Sequence, residues 1–361
     1  MKNLECNISQ RYDYNDIAKA IGMFSIIWGH IRLSGWSNAF VYSWHIPLFF
    51  VLSGMMFNKD KYTDFKCFLK KKVKSLLVPY VIFSFITWII WALFSLFTNA
   101  PVNNYWMPLV QTFVAQGSGG FLIHNVPLWF VTCLFVMEII YYFIADWKVI
   151  YIMAMTIALA ICSYCMIEYI DIVDVTLLPW NLEVVFLGLP LFALGHIVIQ
   201  KYSHNQIANW VNSHPLYSLA IVVVGVGIVF IGSFYNGSVS FGHADLKNPL
   251  ITYPLAILGV TSILIVSMLI AGSNACTNNS RLLMWIKYFG RNSFTTMVIH
   301  NPIKGVICVL LGIVLGCSSE EISLNGWSSF IAFVLTLCIS VMGMLFINYL
   351  KTRFRNFNKR A

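Results

Sequence analysis

The sequence predicts an all-α integral membrane protein, a bundle of about ten transmembrane helices with both termini in the cytoplasm. Hydrophobic residues make up 59% of the 361 residues and charged residues only 10%, unlike the composition of a soluble globular domain. Apolar stretches long enough to cross a bilayer recur along the whole chain. Lysine and arginine gather on one side of these stretches, which gives the predicted orientation.

Ten candidate spans follow one another along the chain. A helix rises ~1.5 Å per residue, so about 20 residues cross the hydrocarbon core. No stretch between spans exceeds about thirty residues, so we expect a single transmembrane domain over 1–361. The polar N-terminus and the long first span argue against a cleavable signal peptide. The spans are 16–34, 39–57, 76–98, 127–145, 148–170, 178–200, 215–235, 249–271, 292–315 and 326–350.

The orientation follows from the basic residues, which favour the cytoplasmic side of a membrane protein. Nineteen of the 23 fall on the side that holds both termini, and seven of these are lysines between the second and third spans. The opposite side has Arg32 and Lys247, while Lys19 and Lys304 lie within spans. The net charge of +9 is therefore mostly a topology signal. Without a folded basic domain, we expect no nucleic-acid partner.

The first span carries Lys19 and His30, two groups that hydrocarbon should reject, with ten residues between them. An ionisable side chain at membrane depth costs roughly 2.5–3.5 kcal/mol on insertion scales, so it usually lines a cavity or takes part in chemistry. Their spacing along a helix is about 16 Å, around half of the hydrocarbon core. One helix thus offers a cation near the cytoplasm and a base near the outer leaflet. Asp16 lies on the face of Lys19 and can pair with it; snorkelling of Lys19 to the headgroups is the alternative.

Estimated depths in the membrane divide the polar residues of the spans into two groups. The outer group consists of His30, His45 and Glu183, with Trp129 and Trp180 at similar depth. The inner group consists of Asp16, Lys19, His196 and His300. A buried histidine can also simply hydrogen-bond a neighbouring helix, and tryptophans at span ends often anchor at the interface. Histidines at two depths disfavour a metal site, and the nine cysteines are expected to be packing residues.

The seven lysines between the second and third spans form a basic stretch, residues 59–74, that we call the lysine segment. Contact with anionic lipid is one explanation, worth about 1 kcal/mol per basic residue. Capture of a polyanionic ligand from the cytoplasm, such as the phosphates of coenzyme A, is the other. If a helix starts in this segment, Lys71 and Lys74 lie on one face of it. The residues alone leave both explanations open.

Six stretches of the chain together resemble the acyltransferase family 3 membrane proteins, particularly their fucose 4-O-acetylase-like branch. They run in the expected order from about residue 11 to residue 305. The stretches are Asp16-x-x-Lys19 followed by His30, residues 47–54 (PLFFVLSG), the lysine segment leading into 76–80 (LLVPY), 127–130 (PLWF), 178–196 (LPWNLE to LFALGH) and 289–302 (FGRNS to HNP).

The resemblance implies a ten-helix acyltransferase of the bacterial inner membrane, which moves an acetyl group from cytoplasmic acetyl-CoA to a sugar hydroxyl of a surface or exported glycan. It implies that His30 is the catalytic histidine and Lys19 its basic partner. Lys71 and Lys74 stand where the family has a second basic pair, usually arginine. A glutamate that some branches carry after the span-4 tryptophan is replaced here by Leu134.

The residues and the resemblance together predict a mechanism without a metal. The nucleotide of acetyl-CoA binds at the cytoplasmic mouth, and its pantetheine arm reaches His30, the general base. Glu183 holds the imidazole tautomer. We expect substrate contacts from His45, Trp129 and Trp180, and oxyanion donors in Ser53 and Asn301. Expected partners are acyl-CoA, membrane lipid and a glycan or lipid-linked sugar, with a homo-oligomer or glycan-assembly proteins also possible.

Two other functions fit an integral membrane protein with buried ionisable groups. A transporter or flippase for a lipid-linked sugar would use the intramembrane histidines and glutamates as a proton relay. The sequence shows no convincing internal repeat, which weakens an inverted-repeat transporter. A scaffold for a glycan-assembly complex is the third function, and it would tolerate the loss of His30.

Overall fold

The computed structural model describes residues 11–31, 35–98, 102–173, 178–273, 280–322 and 326–357. These residues form helices, with one isolated β-bridge between Ser240 and Asp245. The α-helices are α1 (Asp13–Ile31), α2 (Gly35–Tyr42), α3 (His45–Met56), α4 (Phe65–Lys72), α5 (Val78–Phe97), α6 (Met107–Gln111), α7 (Trp129–Ile144), α8 (Val149–Val173), α9 (Leu182–Lys201), α10 (His204–Ser213), α11 (Pro215–Asn236), α12 (Pro249–Gly272), α13 (Arg281–Arg291), α14 (Ser293–Leu315), α15 (Ser319–Ile322) and α16 (Gly326–Phe357).

Nine helical stretches within the described ranges are long and apolar enough to cross a membrane. The predicted all-α membrane fold class is therefore confirmed. Helix α1 is not among the nine, because its acidic first turn, Lys19 and His30 lower its hydropathy. It nevertheless packs against α3, α12, α13, α14 and α16, and most of its side chains are buried. The protein around α1 thus shields its polar groups from lipid.

The second and third spans differ in detail from the prediction. The second consists of two helices, α2 and α3, which meet at Ser43 and Trp44. The third begins at Phe65 rather than at residue 76, because α4 continues through a π-helical turn (Val73–Leu77) into α5. Asp64 caps this long helix by accepting a 2.7 Å hydrogen bond from the backbone of Cys67. Much of the lysine segment is therefore helical and rigidly attached to the third span.

Helices α3 and α9 cross so closely that only glycine fits at the contact. A Cβ on Gly54 would lie 1.9 Å from the carbonyl oxygen of Phe192, and one on Gly195 would lie 2.2 Å from that of Val51. Close approach through small residues is a common way for membrane helices to pack. Both glycines belong to the stretches that carry the family resemblance, so close helix packing explains why glycine occurs in each of these stretches.

Helix α14 begins inside the bundle, level with the middle of α1. The preceding helix α13 ends against α1, where a Cβ on Gly290 would lie 1.7 Å from the carbonyl oxygen of Asp16. Arg291 follows and donates a 2.9 Å bond to the Asp16 carboxylate. Helix α14 then starts at Ser293, which shares a cavity lining with Met23 and Ile26 from the middle of α1.

Candidate active site

His30 lines two separate cavities of the bundle. One cavity, of about 390 Å³, lies towards the predicted outer side, and we call it the outer cavity. The other, of about 160 Å³, extends towards the predicted cytoplasmic side, and we call it the inner cavity. The half-buried His30 side chain is common to both linings. His30 is thus shared by two cavities that extend in opposite directions along the bundle.

The inner cavity is narrow and mostly apolar. Met23 and Ile26 of α1 contribute to its wall, as do Trp129 and Leu134 of α7. Leu134 occupies the position at which some branches carry a glutamate, so here that position adds to the apolar wall. Ser53, the candidate oxyanion donor, is among the few polar groups in this lining. Such a cavity suits a thin, uncharged chain better than a sugar.

Lys19 lies on the face of α1 that points to the inner cavity, although it is not in the lining. Residues three to four positions apart share a helical face, so Lys19, Met23, Ile26 and His30 form one stripe. Lys19 is partly buried and one turn below Met23. The cation is therefore placed at the cytoplasmic end of the stripe, and His30 at the other end.

Three polar groups of α14 gather beside His30. The rings of His30 and His300 lie with their centroids 5.2 Å apart. Lys304, one turn further along α14, donates a 3.3 Å hydrogen bond to the carbonyl oxygen of His30. Lys304 and Asn301 also line the outer cavity. The depth estimate that placed His300 with Lys19 was wrong, because it assumed that α14 starts at the membrane surface.

The tautomer of His300 is fixed by its backbone contacts. Its Nδ1 lies 2.7 Å from the carbonyl oxygen of Met297 and 3.2 Å from that of Thr296. A carbonyl oxygen can only accept, so Nδ1 carries the hydrogen. In the neutral ring, Nε2 then carries the lone pair, and it has no hydrogen-bond partner among the described residues. The side chain is fully buried, so His300 presents a fixed acceptor next to His30.

Glu183 lies in a different place from the one expected of a partner for His30. Its carboxylate accepts hydrogen bonds from Gln116 at 3.3 Å and from Asn181 at 3.5 Å. Glu183 is fully buried and is absent from the linings of both cavities. Its described contacts hold the external segment, residues 102–125, against the start of α9. A catalytic role for Glu183 stays a prediction.

Trp180 anchors the same external segment. Its backbone N–H donates to the carbonyl oxygen of Val114 at 2.8 Å, and its indole N–H donates to that of Phe113 at 2.9 Å. Both Trp180 and Asn181 have left-handed backbone conformations, with φ of 61° and 52°. Such conformations cost energy in non-glycine residues and persist where contacts stabilise them. The tight turn before α9 thus serves to fix the external segment.

The other two predicted substrate contacts, Trp129 and His45, lie in different places in the structure. Trp129 lines the inner cavity and is buried, with its ring packed against Gly117 and Gly242. His45 is buried outside both linings, and its Nδ1 bonds the carbonyl oxygen of Val41 at 2.8 Å. That contact stabilises the junction of α2 and α3. Of the predicted outer group, only His30 and Trp129 therefore share a cavity.

Lys71 and Lys74 are both exposed on the lysine segment. The lysine between them, Lys72, instead turns inwards and forms a 2.8 Å ion pair with Glu138 of α7. The π-helical turn that contains Lys74 also supplies Leu76 to the inner cavity. The lysine segment is thus attached to the wall of that cavity, and Lys71 and Lys74 are among the lysines exposed on its surface.

The predicted inner group is not brought together. Asp16 accepts from Arg11 at 3.0 Å and from Arg291 at 2.9 Å, so arginines take the place expected for Lys19. The side chain of His196 hydrogen-bonds the hydroxyl of Tyr141 at 2.8 Å. These contacts stabilise the bundle near the predicted cytoplasmic ends of α1 and α9.

Sequence reasoning missed one further histidine of the outer cavity. His124 lies at the end of the external segment and is 4% exposed. It is outside the apolar spans, so no rule on intramembrane polar groups singles it out. Its place in the cavity depends on the tertiary contacts of the external segment.

Comparison with known proteins supports one family. The family model of an acyltransferase domain, acyltransferase family 3, matches residues 12–349, nearly the whole chain. No curated protein and no solved structure matches the chain.

Proposed function

The chain belongs to acyltransferase family 3, and we propose that this membrane acyltransferase transfers an acetyl group from cytoplasmic acetyl-CoA to a hydroxyl of a glycan sugar. One observation carries the proposal: His30 lines a narrow apolar cavity on one side and a wider, more polar cavity on the other. A base shared by two cavities suits a reaction between a donor and an acceptor that arrive from opposite faces of the membrane.

The inner cavity is the proposed donor site. Its apolar wall fits the pantetheine arm, and Lys19 at the cytoplasmic end of the stripe fits a phosphate of the nucleotide. Lys71 and Lys74 are exposed beside the π-helical turn that reaches the cavity, so they are proposed to bind the remaining phosphates. Lysine supplies charge but no bidentate geometry, which suits a loosely held phosphate group.

The outer cavity is the proposed acceptor site. Its lining combines an aromatic ring, Trp91, with the polar side chains of Thr87, His124 and Asn301. A volume of about 390 Å³ is in the range of small-ligand pockets. Mixed aromatic and polar linings suit a sugar, which has an apolar face and hydroxyl groups. The expected site of action is the bacterial inner membrane, with the acceptor on its outer side.

The thioester of acetyl-CoA supplies an activated acetyl group. His30 accepts the proton of the sugar hydroxyl while that oxygen attacks the thioester carbonyl. Collapse of the tetrahedral species breaks the carbon–sulfur bond, and the imidazolium returns the proton to the departing thiolate. The products are the acetylated sugar and coenzyme A. Ser53 in the inner cavity and Asn301 in the outer cavity are proposed donors to the oxyanion.

His300 is proposed for the orienting role that the sequence predicts for Glu183. Its fixed Nε2 acceptor, beside the ring of His30, is proposed to orient that ring and to stabilise the imidazolium. The bond from Lys304 to the backbone of His30 holds the end of α1 at the same place. Both groups come from α14, so this helix positions the base.

Labelled acetyl-CoA tests the proposal. The purified protein is reconstituted in nanodiscs, which expose both faces, with unacetylated glycan from a strain that lacks it. Label carried from acetyl-CoA to glycan, in proportion to enzyme, supports an acetyltransferase. Labelled protein that passes its acetyl group to the glycan on a chase would replace direct transfer by an acyl-histidine intermediate.

A second assay, with the protein reconstituted in sealed vesicles, separates the enzyme from a transporter or flippase. A transporter moves lipid-linked sugar across vesicles in the absence of acetyl-CoA and leaves the label on coenzyme A. Sugar movement without label transfer would contradict the proposed function. A scaffold would give neither result.

A further inference from the structure

Both ring nitrogens of His124, a residue that lines the outer cavity, are buried without a hydrogen-bond partner among the described residues. The side chain is 4% exposed, so bulk water does not solvate it freely. Buried polar atoms are nearly always hydrogen-bonded, because an unmade bond in a dry site is costly. A histidine with both nitrogens unsatisfied, on the wall of a ligand-sized cavity, is therefore a candidate ligand contact.

The backbone around His124 is held in place from two sides. The neighbouring side chain of Asn125 donates a 2.7 Å bond to the carbonyl oxygen of Val298, on α14. Seven residues before His124, the backbone N–H of Gly117 donates a 2.9 Å bond to the side-chain oxygen of Asn181. The cavity wall that carries His124 is thus tied to the helix that carries His300. Ligand sites held by such supporting bonds keep their geometry.

The neutral form of His124 matches a hydroxyl group. Burial lowers the pKa of His124 to about 4, so the ring is uncharged at neutral pH. A neutral imidazole has one N–H donor and one lone pair. A sugar hydroxyl likewise donates one hydrogen bond and accepts others, so one or two hydroxyls satisfy both nitrogens.

We propose that His124 binds a hydroxyl of the acceptor sugar other than the one that is acetylated, and so selects a sugar with a second free hydroxyl near its reacting oxygen. This inference rests on the proposed function. It assigns the reacting hydroxyl to His30 and a second hydroxyl to His124, both on the wall of one cavity. Trp91, on the same wall, faces the sugar ring itself. His124 is then an acceptor-binding residue with no part in proton transfer.

The test compares the KM of two substrates in one assay. Wild-type protein and the variants His124→Ala, His124→Phe and His124→Gln are assayed in nanodiscs with acetyl-CoA and with unacetylated glycan from a strain that lacks this protein. We expect Ala and Phe to raise the glycan KM about ten-fold or more, as for loss of one or two buried hydrogen bonds, with the acetyl-CoA KM unchanged. Glutamine keeps a donor and an acceptor, so it recovers part of the affinity.

A matched control removes another buried, unpartnered polar atom that lies outside both linings. Thr336→Val takes away such a hydroxyl from α16. We expect both KM values of this variant to stay near wild type. An unchanged glycan KM in His124→Ala and His124→Phe would overturn the inference, as would equal changes in both KM values. Absence of transfer by the wild-type protein would instead contradict the proposed function, so the two failures are distinguishable.

Discussion

The ring of His300 lies 5.2 Å from that of His30, centroid to centroid, on a helix that begins inside the bundle. The contact depends on Gly290, because its missing side chain allows α13 to end against the backbone of Asp16. Helix α14 starts shortly after this contact at Ser293, which lines the inner cavity together with Met23 of α1, and His300 in its second turn lies beside His30. A packing detail near the cytoplasm thus places a fixed acceptor beside the proposed base.

Lys19→Ala is expected to raise the acetyl-CoA KM about ten-fold, because a charge-assisted bond to phosphate is lost. Lys19→Arg keeps the charge, so its KM is expected to stay within about three-fold of wild type. The glycan KM should not change in either variant. Initial rates with labelled acetyl-CoA measure both constants. Equal acetyl-CoA KM values in all three proteins would remove Lys19 from the donor site.

Leu134→Trp is expected to obstruct the inner cavity, since it adds an indole ring to a space of about 160 Å³. The kcat/KM for acetyl-CoA should fall about ten-fold or more, because overpacking costs roughly 1–3 kcal/mol and blocks the pantetheine arm. Leu134→Met is the matched control, because it nearly conserves volume. Normal acetyl-CoA kinetics in the tryptophan variant would show that the donor uses another route.

Lys72→Met is expected to destabilise the protein, because it leaves the carboxylate of Glu138 buried without its cation. The two side chains are only 18% and 8% exposed, and breaking such a pair costs roughly 3–5 kcal/mol. Thermal unfolding in one detergent should show a Tm several degrees lower. The double variant Lys72→Met/Glu138→Gln should recover much of the loss. An unchanged Tm in Lys72→Met would mean that the pair contributes little.

The pH dependence of acceptor binding should reflect the neutral state of His124. Its pKa of about 4 lies below that of a free histidine, so the ring gains a proton, and loses its acceptor, only as the pH falls towards 4. Four other titratable groups line the same cavity, namely His30, Lys304, Cys308 and Glu320. The ratio of the glycan KM of His124→Ala to that of wild type removes their shared effects.

We expect this KM ratio to stay constant from about pH 8 to about pH 5. It should fall towards one near pH 4, because the His124 ring of the wild-type protein gains a proton there and loses its acceptor. Initial rates at saturating acetyl-CoA give the ratio at each pH. A ratio that already changes between about pH 6 and pH 7 would mean that His124 titrates like a solvent-exposed histidine.

Hydropathy and charge predicted the fold class well, since the lipid environment requires long apolar helices. They also singled out His30, because ionisable residues within membrane spans are rare and usually functional. The partners of His30 were harder to predict. The depth of His300 depended on where α14 begins, which the contact of Gly290 with Asp16 decides.

The external segment shows a second limit of sequence reasoning. Glu183 and Trp180 looked like catalytic or substrate residues because they are polar or aromatic at the outer end of a span. Their hydrogen bonds include those with Gln116, Asn181 and the backbone of Phe113 and Val114, so they also hold the external segment, while their catalytic and substrate roles stay predictions. This arrangement brings His124 to the outer cavity, and no local sequence pattern around His124 predicts that position. Its role follows only from tertiary structure.

The most direct test of the account is the acetyl-transfer rate of His30→Ala, measured with labelled acetyl-CoA and unacetylated glycan in nanodiscs. We expect a loss of about a hundred-fold or more in kcat, as for removal of a general base, at normal membrane insertion and Tm. His196→Gln, which changes another buried histidine outside both linings, should keep most of the activity. Transfer at the wild-type rate by well-folded His30→Ala protein would contradict the claim that His30 joins the donor and acceptor sites.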